Sequence, residues 1–386
     1  MLRLFFGALA CLAGLQAAAA PRLPVHDDEV LERLSLRRDS AQSAALRELR
    51  ARVAAAPSEP GPAAALARRY FVLAMADGDP RFVGYAQAAL RPWSDAAASP
   101  EILVVRAMLR QYRHDFDGAL ADLALALQRD PGNTEAHAWR AAIYMVRADY
   151  AYAADECAAL AAHADDLLAV GCRAYVEATT GRTRLAYEKL GAALKAGSDA
   201  GPGERLWVHT RLAEMAHRLG DADAAERHFQ AALAPGLDDN FLLAAYADFL
   251  LQQGRNREVV ALLEGRGRSD TLLLRLALAA RALGLPEAAR HAQTLGERFA
   301  AAALRGDRLH LAEEARYLLE LRDDANAALA AAAENWMSQR EPRDALIFLQ
   351  TARAAGAPAA AAPVLEWLAR SGFEHDGMKR LAAELR

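Results

Sequence analysis

The chain has 386 residues, is 54% hydrophobic and carries 46 basic against 50 acidic side chains, a formal net charge of −4. The basic residues are scattered rather than gathered into a stripe, so the sequence offers no electrostatic footprint for nucleic acid. Alanine and leucine are abundant, β-branched residues are sparse, and Gly and Pro fall between apolar runs, a composition that argues for helices and against a sheet-built fold.

Residues 1–20, MLRLFFGALACLAGLQAAAA, place Arg3 ahead of an apolar core from Leu4 to Leu15 and end in small residues before Pro21. This is the layout of a secretory signal peptide cleaved near Ala19. The expectation is an exported protein, periplasmic or secreted. The stretch also lies near the lower length limit for a membrane span, so an uncleaved inner-membrane anchor is the other reading. Cys11 sits inside the apolar core, out of order for a lipoprotein signal.

Residues 21–61 read as an N-terminal helical segment with a degenerate half-repeat, in which Ala45, Leu49 and Val53 keep helical spacing up to Pro57. A second degenerate unit surrounds Gly78 and Asp79. Then LVVRAMLRQYRHDF supplies Leu103 and the small Ala107 on one helical face and enters a polar turn at His114, Asp115 and Phe116. GALADLALALQRDP follows with Ala119, Leu123, Ala126 and Leu127 at helical intervals before Pro131, which together make one helix-turn-helix unit. In this reading His114 and Asp115 are exposed turn residues and Asp117 caps the second helix.

The same grammar returns thirty-four residues later: Ala107 becomes Ala141, Asp115 becomes Asp149, Phe116 becomes Tyr150 and Ala119 becomes Ala153. Further units place Ala174, Gly181 and Ala186, then Ala213, Gly220, Asp221, Ala225 and Phe229, then Ala247 and Gly254, then Ala277, Gly284 and Ala289 in corresponding order. The pattern resembles the tetratricopeptide repeat (TPR) family, with its small residue in the first helix, its Gly-Asp-aromatic turn and its alanine in the second. The resemblance implies an all-α, TPR-like right-handed superhelical solenoid. The array spans 62–304, and 305–386 continues as helical repeats of degenerate register.

With the signal removed, Cys157 and Cys172 remain, two cysteines in an oxidising compartment. A bond between them would close a short loop and add about 3 kcal/mol on the loop-entropy model. Two buried thiols are the alternative.

Chemistry-bearing motifs are few. His209 and His217 lie eight residues apart on one helix, about 12 Å along its axis, too far to share a metal. His310 with Glu313 and Glu314 lacks the second histidine of a zinc helix. The only lysines are Lys189, Lys195 and Lys379, none of which follows a glycine, so no phosphate loop is present. No catalytic residue, metal or cofactor is expected.

In the family that the sequence resembles, the first helix of each unit lines a concave groove. Carried onto this sequence, the groove positions include Val104, Met108, Tyr112, Met145, Tyr175, Trp207, Thr210, Glu214, Phe241 and Asp248. The Lys and Asn of the carboxylate-clamping members are absent, since Val104, Met108 and Tyr112 stand there. The expected function is a non-catalytic protein-binding scaffold or adaptor in the cell envelope, whose partners are proteins or peptide segments, with weak self-association possible. The alternatives are an enzyme whose acid/base group lies around Glu313, Glu314 and Glu334, and a self-assembling structural protein.

Overall fold

A computed structural model describes residues 40–386 apart from 78, 80, 164, 165 and 198. The signal-like stretch, Cys11 and Gly78 lie outside the described residues. The chain divides into two compact units, Met1–Ala45 and Leu46–Arg386. Of the first, only the opening of helix α1 (Ser40–Ala55) is described.

Among the described residues every regular element is helical. Paired in chain order the hairpins are α2 (Pro60–Asp77) with α3 (Arg81–Leu90), α4 (Pro100–Tyr112) with α5 (Phe116–Arg129), and α6 (Thr134–Val146) with α7 (Tyr150–Leu160). Next come α8 (Asp166–Thr179) with α9 (Thr183–Ala196), α10 (Pro202–Arg218) with α11 (Ala222–Leu233), and α12 (Asn240–Gln252) with α13 (Asn256–Leu262). The last are α14 (Asp270–Ala282) with α15 (Glu287–Leu304), α16 (Leu311–Leu321) with α17 (Ala325–Ser338), and α18 (Pro342–Ala354) with α19 (Ala362–Ser371), closed by α20 (Asp376–Glu384). The unit is an all-α, TPR-like helix-turn-helix solenoid.

Local chemistry explains the boundaries. Ser99, Asn133, Asp221, Asp239 and Asp324 each accept a backbone N–H of the helix they precede, satisfying one of the orphan donors there. The cap of α5 is Asp115, which accepts from Gly118 at 3.1 Å, and not the expected Asp117; the carboxylate one residue before the first helical position reaches the N3 amide and Asp117 is already inside the helix. Ala107, Ala119, Ala141, Ala153, Ala213 and Ala225 are all at most 3% exposed. Without bulky side chains at these crossings the paired helices can close up.

The turns carry a constraint that the repeat spelling disguises. Among the described residues, the turn after each first helix from α4 to α18 passes through left-handed backbone, with φ of 81° at Gly181 and Gly220, where glycine meets no Cβ penalty. In other units the same place holds His114, at φ 58°, Ala148, at φ 60°, and Asp323, at φ 56°. Nor is His114 the exposed corner expected: it is half-buried, stacks on Phe116 at 5.5 Å and lies 3.4 Å from Gln339. Burial lowers its pKa to about 4.

Within Leu46–Arg386 the stack folds back on itself: the starts of α12 and α18 meet the ends of α2 and α6, and the segment from α19 to α20 meets the starts of α7 and α9. The Asn240 side chain donates to the carbonyl of Met75 at 2.7 Å. The Arg340 amide donates to the Val146 carbonyl at 2.7 Å, Trp367 Nε1 donates to Tyr150 Oη at 2.8 Å, and the Thr183 amide donates to Glu374 at 2.7 Å. Met75 and Val146 thus offer carbonyls left orphaned near helix C-termini, Tyr150 accepts through its hydroxyl, and the Glu374 carboxylate sits at the start of α9, where the helix dipole favours negative charge. The segments around 305–386 keep the hairpin grammar, with Ala315, Ala328 and Ala345 fully buried.

Candidate functional site

The first helix of each hairpin faces the interior, and the consequence of the fold-back is that this face differs along its length. Its beginning, on α2, α4 and α6, is mainly apolar, with one ion pair, Arg68 and Glu135. On α2, Arg68, Val72 and Met75 fall within one narrow arc of the helix, and Val72 and Met75 remain 46% and 45% exposed. Phe71 meets Tyr112 and Trp139 edge-on, at 6.3 and 6.2 Å between ring centroids. Arg68 forms a two-pronged pair with Glu135 and also touches Met108 Sδ at 3.6 Å. Ala142, on α6, is exposed.

The continuation, on α8, α10 and α12, is charged and already occupied. The start of α18 enters it, so that Arg343 lies over the Phe241 ring at 5.7 Å and Tyr175 Oη sits 3.5 Å from Glu341. Arg211 is held between Tyr175 and Phe241, at 4.5 and 4.4 Å from their rings, and its guanidinium pairs with Glu214 at 3.0 Å. Burial raises the Tyr175 hydroxyl well above its ordinary value, which keeps it a neutral donor. Burial likewise pushes the Asp344 carboxyl up, against the pull of Arg343, to about 7.

Farther on, Asp248 ties three hairpins. It accepts from Arg275 at 2.7 Å and from Arg316 on α16. Burial alone would raise its pKa, but the two guanidinium groups hold it at about 2. Glu313 joins the same group through Arg275, at 3.9 Å. Glu314 instead neighbours Arg308 and Glu334, which pair with each other. The three glutamates of the enzyme reading therefore do not converge.

The expected groove residues are accordingly scattered in state. Val104, Met108, Met145 and Thr210 are at most 5% exposed and belong to the packing between helices, because each hairpin's neighbour covers them. Trp207 lies across α8, where a Cβ on Gly171 would come within 2.5 Å of its ring. Tyr175, Glu214, Phe241 and Asp248 face the interior, yet the chain's own Arg343, Arg211, Arg275 and Arg316 partner them. Of the ten, Tyr112 and Met108 adjoin the open apolar stretch, Tyr112 through Phe71 and Met108 through Arg68.

Cys157 and Cys172 are joined by a disulfide with Cα atoms 5.5 Å apart, linking α7 to α8. His209 pairs with His228, their Nδ1 atoms 3.1 Å apart, rather than with His217, which contacts Gln252. Among the described residues no group of three or more His, Cys, Asp or Glu is placed to hold a metal, and no helix is long and apolar enough to cross a membrane.

Sequence reasoning missed Phe71, Val72, Met75 and Trp139, and it passed over Arg343. A signal for the first three existed: Ala74 is fully buried and occupies the place of Ala107 one unit earlier, which gives α2 its register. Arg340-Glu341-Pro342 was legible only as a helix break, and nothing local shows that the next turn enters a distant groove.

No family model matches the chain, and no curated protein matches it. Solved structures that resemble it include the APC/C hetero-tetramer Cut9-Hcn1, at 15% identity and a TM-score of 0.49 over 83% of this chain and 62% of that one. Yeast Tom70 aligns at 12% identity and a TM-score of 0.33, over 90% of this chain and 93% of that one. The P58(IPK) TPR domain aligns at 15% identity and a TM-score of 0.20, over 82% and 94%. This chain therefore spans less than two thirds of the length of the first of these, and the likenesses concern the fold alone.

Proposed function

We propose that this protein is a non-catalytic binding scaffold that takes an apolar peptide segment of another protein on the interior face of α2, α4 and α6. The observation that carries the reading is the pair Val72 and Met75, left about half exposed beside the Phe71, Tyr112 and Trp139 cluster. Large apolar side chains that a fold leaves uncovered next to an aromatic cluster gain most from a partner that removes them from water. An extended or helical segment with apolar anchors suits a face built from parallel first helices. The signal-like N-terminus supports a place in the cell envelope, where the partner would be an envelope protein; mass measurement of the exported form tests that part.

The binding test uses fluorescence anisotropy with a labelled leucine-rich peptide and a serine-substituted control. The intact protein binds the leucine peptide in preference to the control, and Met75→Glu weakens binding about tenfold or more, as burying an unpaired charge requires, with the helical circular dichroism unchanged. Equal affinity of wild type and Met75→Glu would remove this face from the account.

A further inference from the structure

The charged stretch of the interior is filled by the chain itself, and four of the seating hydrogen bonds fall on two hairpins. Val146 and Tyr150, at the turn of α6 and α7, receive Arg340 and Trp367. Tyr175 on α8 and Thr183 at the start of α9 meet Glu341 and Glu374. Between α8 and α9, Gly181 lies so close to the late segment that a Cβ there would stand 2.9 Å from the Gly372 carbonyl oxygen. The Cys157–Cys172 bond joins these two hairpins and no others. Both cysteines belong to one small core with Tyr150, Tyr175, Met145 and Val176, so the two tyrosines that hold the late segment share their packing with the disulfide.

We propose that the Cys157–Cys172 disulfide is a redox-operated catch, which seats the start of α18 and the segment after α19 on α6 to α9 and, when reduced by a dithiol, releases them from the charged interior. The seat combines single hydrogen bonds, each worth about 1 kcal/mol net, with the packing of Ala148 and Tyr150 on the late core around Trp336, Trp367 and Phe373, and its alignment depends on α7 and α8 keeping their spacing. Cutting the covalent link between the hairpins removes the constraint that aligns Tyr150 with Trp367 and Tyr175 with Glu341. Few buried apolar side chains share the core around the disulfide, so the bond carries much of the spacing between α7 and α8.

The sulfurs differ in access: Cys157 is 1% exposed and Cys172 is half-buried. A thiolate of the dithiol attacks Cys172 Sγ, forms a mixed disulfide and expels Cys157 as a thiolate, which takes up a proton. The second thiolate of the dithiol then attacks its own sulfur in the mixed disulfide. Cys172 leaves as a thiolate and is protonated, and the reductant departs as a cyclic disulfide, so two electrons and two protons have passed to the cysteine pair. The device is independent of what binds the apolar stretch.

Hydrogen exchange on the full chain tests this, because two amides report the seat directly: Arg340, bonded to Val146, and Thr183, bonded to Glu374. Protein treated with dithiothreitol, and separately the Cys157→Ala/Cys172→Ala variant, should exchange both amides about tenfold faster, while Leu242 to Leu250 in α12 keep their protection. Unchanged exchange at Arg340 and Thr183, or equal acceleration in α12, would overturn the proposal, the latter by showing general destabilisation. Should the double variant fail to fold by circular dichroism, the reduced wild-type protein decides alone.

Discussion

Two stretches of the same interior face, built from the same repeat positions, have opposite fates. Along α2, α4 and α6 the positions are apolar and partly uncovered; along α8, α10 and α12 they are charged or aromatic and met by the chain's own arginines. The difference follows from what each kind of side chain requires. A half-buried carboxylate needs opposite charge and hydrogen bonds, and once Asp248 has Arg275 and Arg316 it has little left to offer a ligand. Val72 and Met75 have no such internal solution and stay half in water. Repeat position alone thus does not identify a binding surface, since the later course of the chain decides which positions remain open.

The sharpest way to break the comparison is to remove the centre of the charged stretch. Asp248→Ala leaves Arg275, itself 5% exposed, without its carboxylate, and should cost about 3 kcal/mol or more in urea unfolding. The same group sets a pH dependence. Its folded pKa of about 2 lies below the ordinary 3.8, so its contribution is fully present above the ordinary value and is lost as pH falls from there toward 2. That contribution is about 2 kcal/mol, and the acid limb of the stability curve should flatten in Asp248→Ala. A smaller effect is expected outside the interior: Ala225→Leu, at a fully buried crossing of α10 and α11, should cost about 1 to 3 kcal/mol by overpacking and lower the melting temperature. Smallest, and opposite in sign, Ala148→Gly should stabilise by up to about 1 kcal/mol, because Ala148 pays a Cβ penalty at φ 60° that glycine avoids.

The hairpins were legible because their signals are local: small residues at helix crossings, caps before helices and a fixed repeat length. The alanines at 107, 119, 141 and 153 are where that grammar puts them, and the cysteine pair was legible as a candidate bond. The state of the face was not legible, because it depends on contacts between residues far apart in sequence. Nothing near Tyr175 announces Glu341, and nothing near Val146 announces Arg340. The apolar stretch on α2 was readable in principle through Ala74, but the irregular spelling of that unit around Gly78 and Asp79 hid its register.

The most direct test of the divided interior is peptide binding measured in parallel on two single-charge changes, one in each stretch. Met75→Glu should reduce affinity for the leucine-rich peptide about tenfold or more, whereas Glu214→Gln, beside Arg211 in the occupied stretch, should leave it unchanged. Equal losses in the two variants, or a loss confined to Glu214→Gln, would contradict the division.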